Sequence, residues 1–215
     1  MGELAALLGA VPVPQGGWER RAVLVAAGGR GPAVDVERVR AVRGVAGAEV
    51  RANGFVVIEV AVPGELVREV LRAPQVIRGA PRGGAWADYP RTWENPGFVV
   101  RYAYVRAGAV GRWARDLGFR DLGFRGEALD GGWDRRVLRV LGEVFSRREK
   151  GEVSAAYLER LAGVYHDAFE RASALPRGDE DWAGVHGARV EMAGAVRRVL
   201  GEGMAGLGVT PPERI

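Results

Sequence analysis

The chain has no cysteine, a single lysine and only two histidines in 215 residues. Without cysteine there are no disulfides and no thiolate metal sites. The histidines, His166 and His186, stand twenty positions apart, so paired histidines at helical spacing cannot form, and neither a structural zinc nor any other metal is expected. Lys150, the one lysine among 31 basic residues, is followed by GEVS. A GxxxxGK[ST] phosphate loop is therefore excluded, and the glycine cluster AAGGRGPA at 26–33 reads as an ordinary loop. No GxSxG elbow occurs, and no carboxylate lies in an apolar run that would mark a tuned acid or base. An enzyme is not expected, nor a cofactor. Long hydrophobic runs are also missing: the opening LAALLGAVPVP is too short to span a bilayer, lacks a basic start and ends in prolines. No membrane is implied, and a cytoplasmic location is expected.

What is present is an ordinary globular mix, with 47% apolar and 27% charged residues, long enough for one large domain or two small ones. The net charge of +4 and the pI near 9.9 permit an acidic partner. Arginine forks suit phosphates and stack on bases; a GC-rich genome favouring arginine codons accounts for the same bias. Charge is spread evenly, about +2 over residues 1–80 and about +2 over the rest, so there is no basic tail.

Periodicity divides the chain. Residues 1–73 read as a small mixed domain, a sheet with helices on one side. It comprises an apolar run AVLVAA (22–27), a helix over DVERVRAVRG with Asp35 as N-cap, a β-branched strand GFVVIEVAV (54–62) and a short helix opened by Pro63 and Gly64. Residues 74–94, rich in proline and glycine and without a period, read as a linker, although Trp86, Tyr89 and Trp93 are more aromatic than a free tether needs. From 95 to 215 the pattern is helical. One helix is capped by Asn95 with Pro96 in its first turn; its predicted buried stripe is Phe98, Tyr102, Val105, Ala109 and Trp113. Further helices are predicted over 132–149, 154–175 and 185–208. The tandem RDLGFRDLGF (115–124) reads as a duplication at a helix end, with Gly118 and Gly123 each closing a turn. The expected fold class is an α+β N-terminal domain followed by an all-α bundle.

The helical half resembles a known family. NPGFVVRYAYVRA (95–107) is similar to the opening of the anticodon-binding domain of arginyl-tRNA synthetases, the all-helical DALR domain, with Asn95, Pro96, Phe98, Val100, Tyr102, Ala103 and Arg106 in matching places. The likeness continues through LRVLGE (138–143), YLERLAGVYHDAF (157–169), ALPRGDE (174–180) and the last twenty-one residues. More weakly, VRGVAGAEVRANGFVVIEVA (42–61) resembles the additional N-terminal domain of the same enzymes, with Asn53, Gly54 and Phe55 in register; the helix that precedes it there has at best a distant counterpart in GGWERRAVLVA (16–26). HIGH-type and KMSKS-type motifs of the catalytic domain are absent, which one lysine and two distant histidines would forbid in any case. The resemblance thus implies a stand-alone binding paralogue that recognises tRNA, most simply an arginine tRNA, through its anticodon arm, and does not charge it. The alternative is a regulatory paralogue that docks on a synthetase or another protein and no longer binds RNA.

Two sets of site residues follow. On the first helix of the bundle, Arg101, Tyr104, Gly108, Arg112 and Arg115 share a face that is basic and aromatic, suited to splayed bases and phosphates or else simply solvated. By resemblance the anticodon contacts also draw on Phe169, Ser173 and the C-terminal Ile215; Arg106, which matches the family's arginine, either braces the bundle or meets RNA, and Arg214 beside Ile215 is counted with the RNA-binding set. His166 is expected to be structural, and Arg197 and Arg198 to be a solvated face.

Overall fold

The computed structural model describes residues 1–27, 34–74, 86–119, 123–151 and 153–215. Residues 28–33 of the loop expected at 26–33, residues 75–85 of the expected linker and positions 120–122 of the tandem repeat lie outside them.

The first half contains helix α1 (Gly2–Leu8), strands β1 (Val13–Gln15) and β2 (Ala22–Ala27), helix α2 (Val36–Arg40), strands β3 (Val45–Val50) and β4 (Phe55–Val60), and helix α3 (Leu66–Arg72) behind a 3₁₀ turn at Pro63–Glu65. The strands form one antiparallel sheet in the order β1-β2-β4-β3. Alternation sets its faces: Ala22, Leu24, Ala26, Val56 and Ile58 point into the core, while Val23, Val25 and Val57 are only partly covered. As read from the sequence, Asp35 caps α2 by accepting the Arg38 N–H at 3.2 Å. Helix α1 and strand β1 carried no legible signal; β1 is three residues long and holds Pro14, which an edge strand tolerates. Gly54 (φ +79°) turns the β3–β4 hairpin, its N–H donating to Arg51 O at 2.9 Å.

The second half is the helical bundle: α4 (Pro96–Asp116), α5 (Gly132–Gly142), α6 (Val144–Lys150), α7 (Ala155–Arg171) and α8 (Gly184–Gly206). Asn95 caps α4 through the Gly97 N–H at 3.0 Å with Pro96 in the first turn, as expected. Three readings are corrected. The buried stripe of α4 is not 98/102/105/109/113 but Val100, Ala103, Ala107, Val110 and Ala114, with Ala109 alone of the predicted set buried. Small residues face inward because α7 and α8 both pack close; the aromatics are displaced to the flank. The helix predicted over 132–149 is two helices, broken at Glu143. Its carboxylate is drawn inward by Arg139, Arg147 and Arg160. The helix predicted to reach 175 stops at Arg171, because Ser173 Oγ bonds both the N–H and the carbonyl of Leu175 and makes a local turn instead.

One hydrophobic core runs through both halves, from Leu4, Trp18 and Ile58 to Leu138, Leu161 and Met204. Arginines of the bundle bind backbone carbonyls of the first half: Arg135 donates to Trp18 O at 3.0 Å, Arg139 to Gly16 O at 3.0 Å, and Arg198 to Leu71 O and Ala73 O. Arg198, expected on a solvated face, is thus a half-buried clamp that also pairs with Glu202. Gly64 and Gly126 let the two backbones cross in direct contact.

Candidate nucleic-acid interface

The displaced aromatics of α4 assemble into a stacked column against α7. Phe98 and Tyr102 stack with centroids 5.5 Å apart and planes 24° apart. The Arg106 guanidinium lies 4.6 Å over Tyr102 and 4.2 Å over Phe169, and Phe169 meets Tyr165 edge-on at 6.4 Å. Trp93, 57% exposed, borders the column, 6.1 Å from Phe98, 5.7 Å from Tyr102 and 4.9 Å from His166. Phe98, Tyr102 and Phe169 are half-buried, so ring area remains open to solvent. Sequence reasoning assigned Phe98 and Tyr102 to the core and gave Trp93 no role; the excess of aromatics in 86–94 was the signal for it. Trp86 and Asn95 anchor that segment, Trp86 Nε1 donating to Glu159 at 2.6 Å and Asn95 Nδ2 to Pro90 O at 2.8 Å.

Arg106 is the keystone. It donates to Tyr102 Oη at 3.0 Å and to His166 Nδ1 at 3.2 Å, and pairs with Glu170 at 2.8 Å. Since His166 Nε2 faces the Val99 carbonyl at 3.0 Å, it carries the proton and Nδ1 accepts from Arg106, which defines a neutral imidazole. Burial above all, with the Arg106 charge behind it, holds His166 below its ordinary pKa against the opposing Val99 bond. The unfolded chain therefore takes up this proton first. The stabilising contribution of neutral His166 is full above about pH 6.5 and is lost as pH falls from there through the folded value. Denaturation midpoints between pH 5 and 8 are expected to rise with pH, and His166→Gln to flatten that slope; an unchanged slope would refute the assignment.

The basic face read from sequence is divided. Arg101 bonds Ala87 O at 3.3 Å and pairs with Asp88 at 2.6 Å. Tyr104 lies in the α4–α8 seam, its ring 4.9 Å under the Arg197 guanidinium and packed against Gly201. Gly108 is buried beneath Arg197, whereas Arg112 and Arg115 are exposed. The C-terminal tail follows α8 back to the start of α4. There Tyr89, Arg91, Phe98, Arg101, Arg214 and Ile215 line a cleft of about 220 Å³, with the Asp88 carboxylate and Pro212 completing its wall. Phe98 belongs to both column and cleft, so the two are one continuous surface. Arg106, Phe169, Arg101, Arg214 and Ile215 thus meet there; Tyr104 and Arg112 do not belong to it. Ser173 is held one turn past Phe169, its carbonyl accepting from Arg189 at 2.9 Å. Arg189 in turn forms a bidentate pair, 2.9 and 2.9 Å, with the fully buried Asp134.

Open aromatic and guanidinium planes beside a cleft are the kind of surface on which unpaired bases stack. Residues 137–215 match the family model described as the DALR anticodon binding domain. In the synthetase family that domain implies binding of a tRNA anticodon. The match spans most of α5, then α6, α7, α8 and the tail, including Phe169, Ser173, Arg214 and Ile215; α4 lies outside it, although it packs in the same bundle. Among the described residues no helix is long and apolar enough to cross a membrane.

Proposed function

We propose that the chain binds the anticodon arm of a tRNA through the column Phe98–Tyr102–Arg106–Phe169 and the adjoining C-terminal cleft, without aminoacylating it. The observation that carries this reading is that aromatic area on a DALR bundle stays open beside the tail instead of being buried in the core. An arginine tRNA is favoured by the likeness of 95–107 and of the last residues to the arginyl enzymes, and the missing HIGH-type and KMSKS-type motifs argue against charging by these 215 residues. Each base stacked on such a platform contributes about 1–3 kcal/mol, so two or three contacts with phosphate attraction support micromolar binding.

Fluorescence anisotropy with an arginine tRNA at low salt is expected to give a micromolar Kd that weakens as salt rises. Phe98→Ala is expected to weaken it about five- to a hundredfold. No binding tighter than about 100 µM at low salt, where the electrostatic part is strongest, sinks the proposal.

One set of observations favours a second reading. Arg101 and Arg106 are already engaged by Asp88 and Glu170, and Tyr104 is covered by Arg197. A surface with its charges internally satisfied suits docking on a synthetase or another protein with RNA binding lost. Pull-down from lysate with and without ribonuclease separates the two: partners that survive ribonuclease support docking, and their complete loss supports RNA.

A further inference from the structure

The last turns of α4 stand in solvent. Trp113 is 45% and Leu117 57% exposed, Arg112 and Arg115 are exposed beside them, and only Ala114 in this stretch is buried. Trp113 has no aromatic or guanidinium neighbour, and neither arginine has a hydrogen-bond or ion-pair partner, among the described residues. The one carboxylate on the same turn is Asp116, also exposed. This end of the helix is held in place. Gly118 (φ +74°) closes it, with the Phe119 N–H on Ala114 O at 2.8 Å and the Gly118 N–H on Arg115 O at 2.9 Å, a Schellman arrangement. Phe119 then packs on Trp182, with centroids 4.8 Å apart, and on Gly187. A tryptophan projected on an anchored helix is a prepared surface.

Phe98, Tyr102, Arg106, Ala109 and Trp113 follow at steps of four, four, three and four, so Trp113 lies on the flank that carries the column. Eleven residues of helix put it about 16 Å beyond Tyr102. We propose that Trp113 is a second stacking station for the same RNA strand, with Arg112 and Arg115 taking its phosphates. At about 3.4 Å per stacked nucleotide, the two stations lie about five nucleotides apart. Single-stranded RNA is the occupant because two arginines with no hydrogen-bond or ion-pair partner among the described residues share this helix end with the ring and the ring lies on the helix flank that carries the column. This inference rests on the RNA-binding function proposed above.

The test uses the full chain and the anticodon stem-loop of an arginine tRNA, with each loop base replaced in turn by an abasic nucleotide. Trp113→Ala is expected to weaken binding of the intact stem-loop about five- to a hundredfold with an unchanged unfolding midpoint, while Trp113→Phe retains most of it. In Trp113→Ala one abasic position should lose its effect, about five nucleotides from the one silenced by Tyr102→Ala. Arg112→Gln and Arg115→Gln should each lower the salt slope by about one. Wild-type affinity for Trp113→Ala, or a loss spread evenly over all abasic positions, overturns the second station and leaves the column standing if Phe98→Ala still weakens binding. If no stem-loop binds the wild-type chain, the proposed function and this inference fall together.

Discussion

Arg189→Leu is expected to lower the folding free energy by about 3–5 kcal/mol, because it strands the Asp134 carboxylate in the core without its partner. Asp134 is fully buried, and both of its oxygens are taken by the Arg189 fork at 2.9 Å. A charge left alone there must be dehydrated without compensation. The pair itself is less valuable than its rupture is costly, so Asp134→Leu combined with Arg189→Leu should recover most of the loss. Recovery should fall short by about 1 kcal/mol, since Ser173 O also loses its donor. The same substitution reaches the candidate interface, because Arg189 holds the turn that follows Phe169. Urea titration of the two single variants and the double variant decides the matter; additive losses would show that the fork does not act as a pair.

Gly64→Ala should cost about 3 kcal/mol, the upper part of the usual range for overpacking. A Cβ at this position would overlap the Gly126 carbonyl oxygen and stand 2.7 and 2.8 Å from its carbonyl carbon and Cα. All three are backbone atoms, which cannot rotate aside, so the sheet half and the bundle would have to separate where they cross. The control is Gly163→Ala in the middle of α7, where an added Cβ meets nothing within 4 Å; helix propensity predicts a gain of about 1 kcal/mol. Denaturation midpoints moving in opposite directions are the expected result. A Gly64→Ala variant as stable as the wild type would mean that the crossing is loosely held.

Helix starts were legible because caps are local: Asn95 before Pro96 and Asp35 before Val36 each accept an N–H of the first turn. Gly118 was legible as a stop for the same reason. The interior face of α4 was not. Its large aromatics recur at core spacing, yet they lie on the flank, since hydrophobic period does not reveal how close two neighbouring helices come. Small Ala103, Ala107 and Val110 face the core where α4 packs against both α7 and α8. Arg198 was misread in the same way: an arginine on an apolar helix looks solvated until the carbonyls of Leu71 and Ala73, more than 120 residues away in sequence, are seen to receive it.

By itself, then, the sequence determined the order of sheet half and helical half, the main helix starts and the likeness to an anticodon-binding bundle, all of which depend on composition or on residues near one another in the chain. Tertiary structure alone decided that Phe98, Tyr102, Arg106 and Phe169 form one column, that the C-terminal tail joins it, and that Trp113 stands free at its far end. Those relations are set by long-range packing of α4 between α7 and α8, and no local period encodes which flank of a helix its neighbours will leave uncovered.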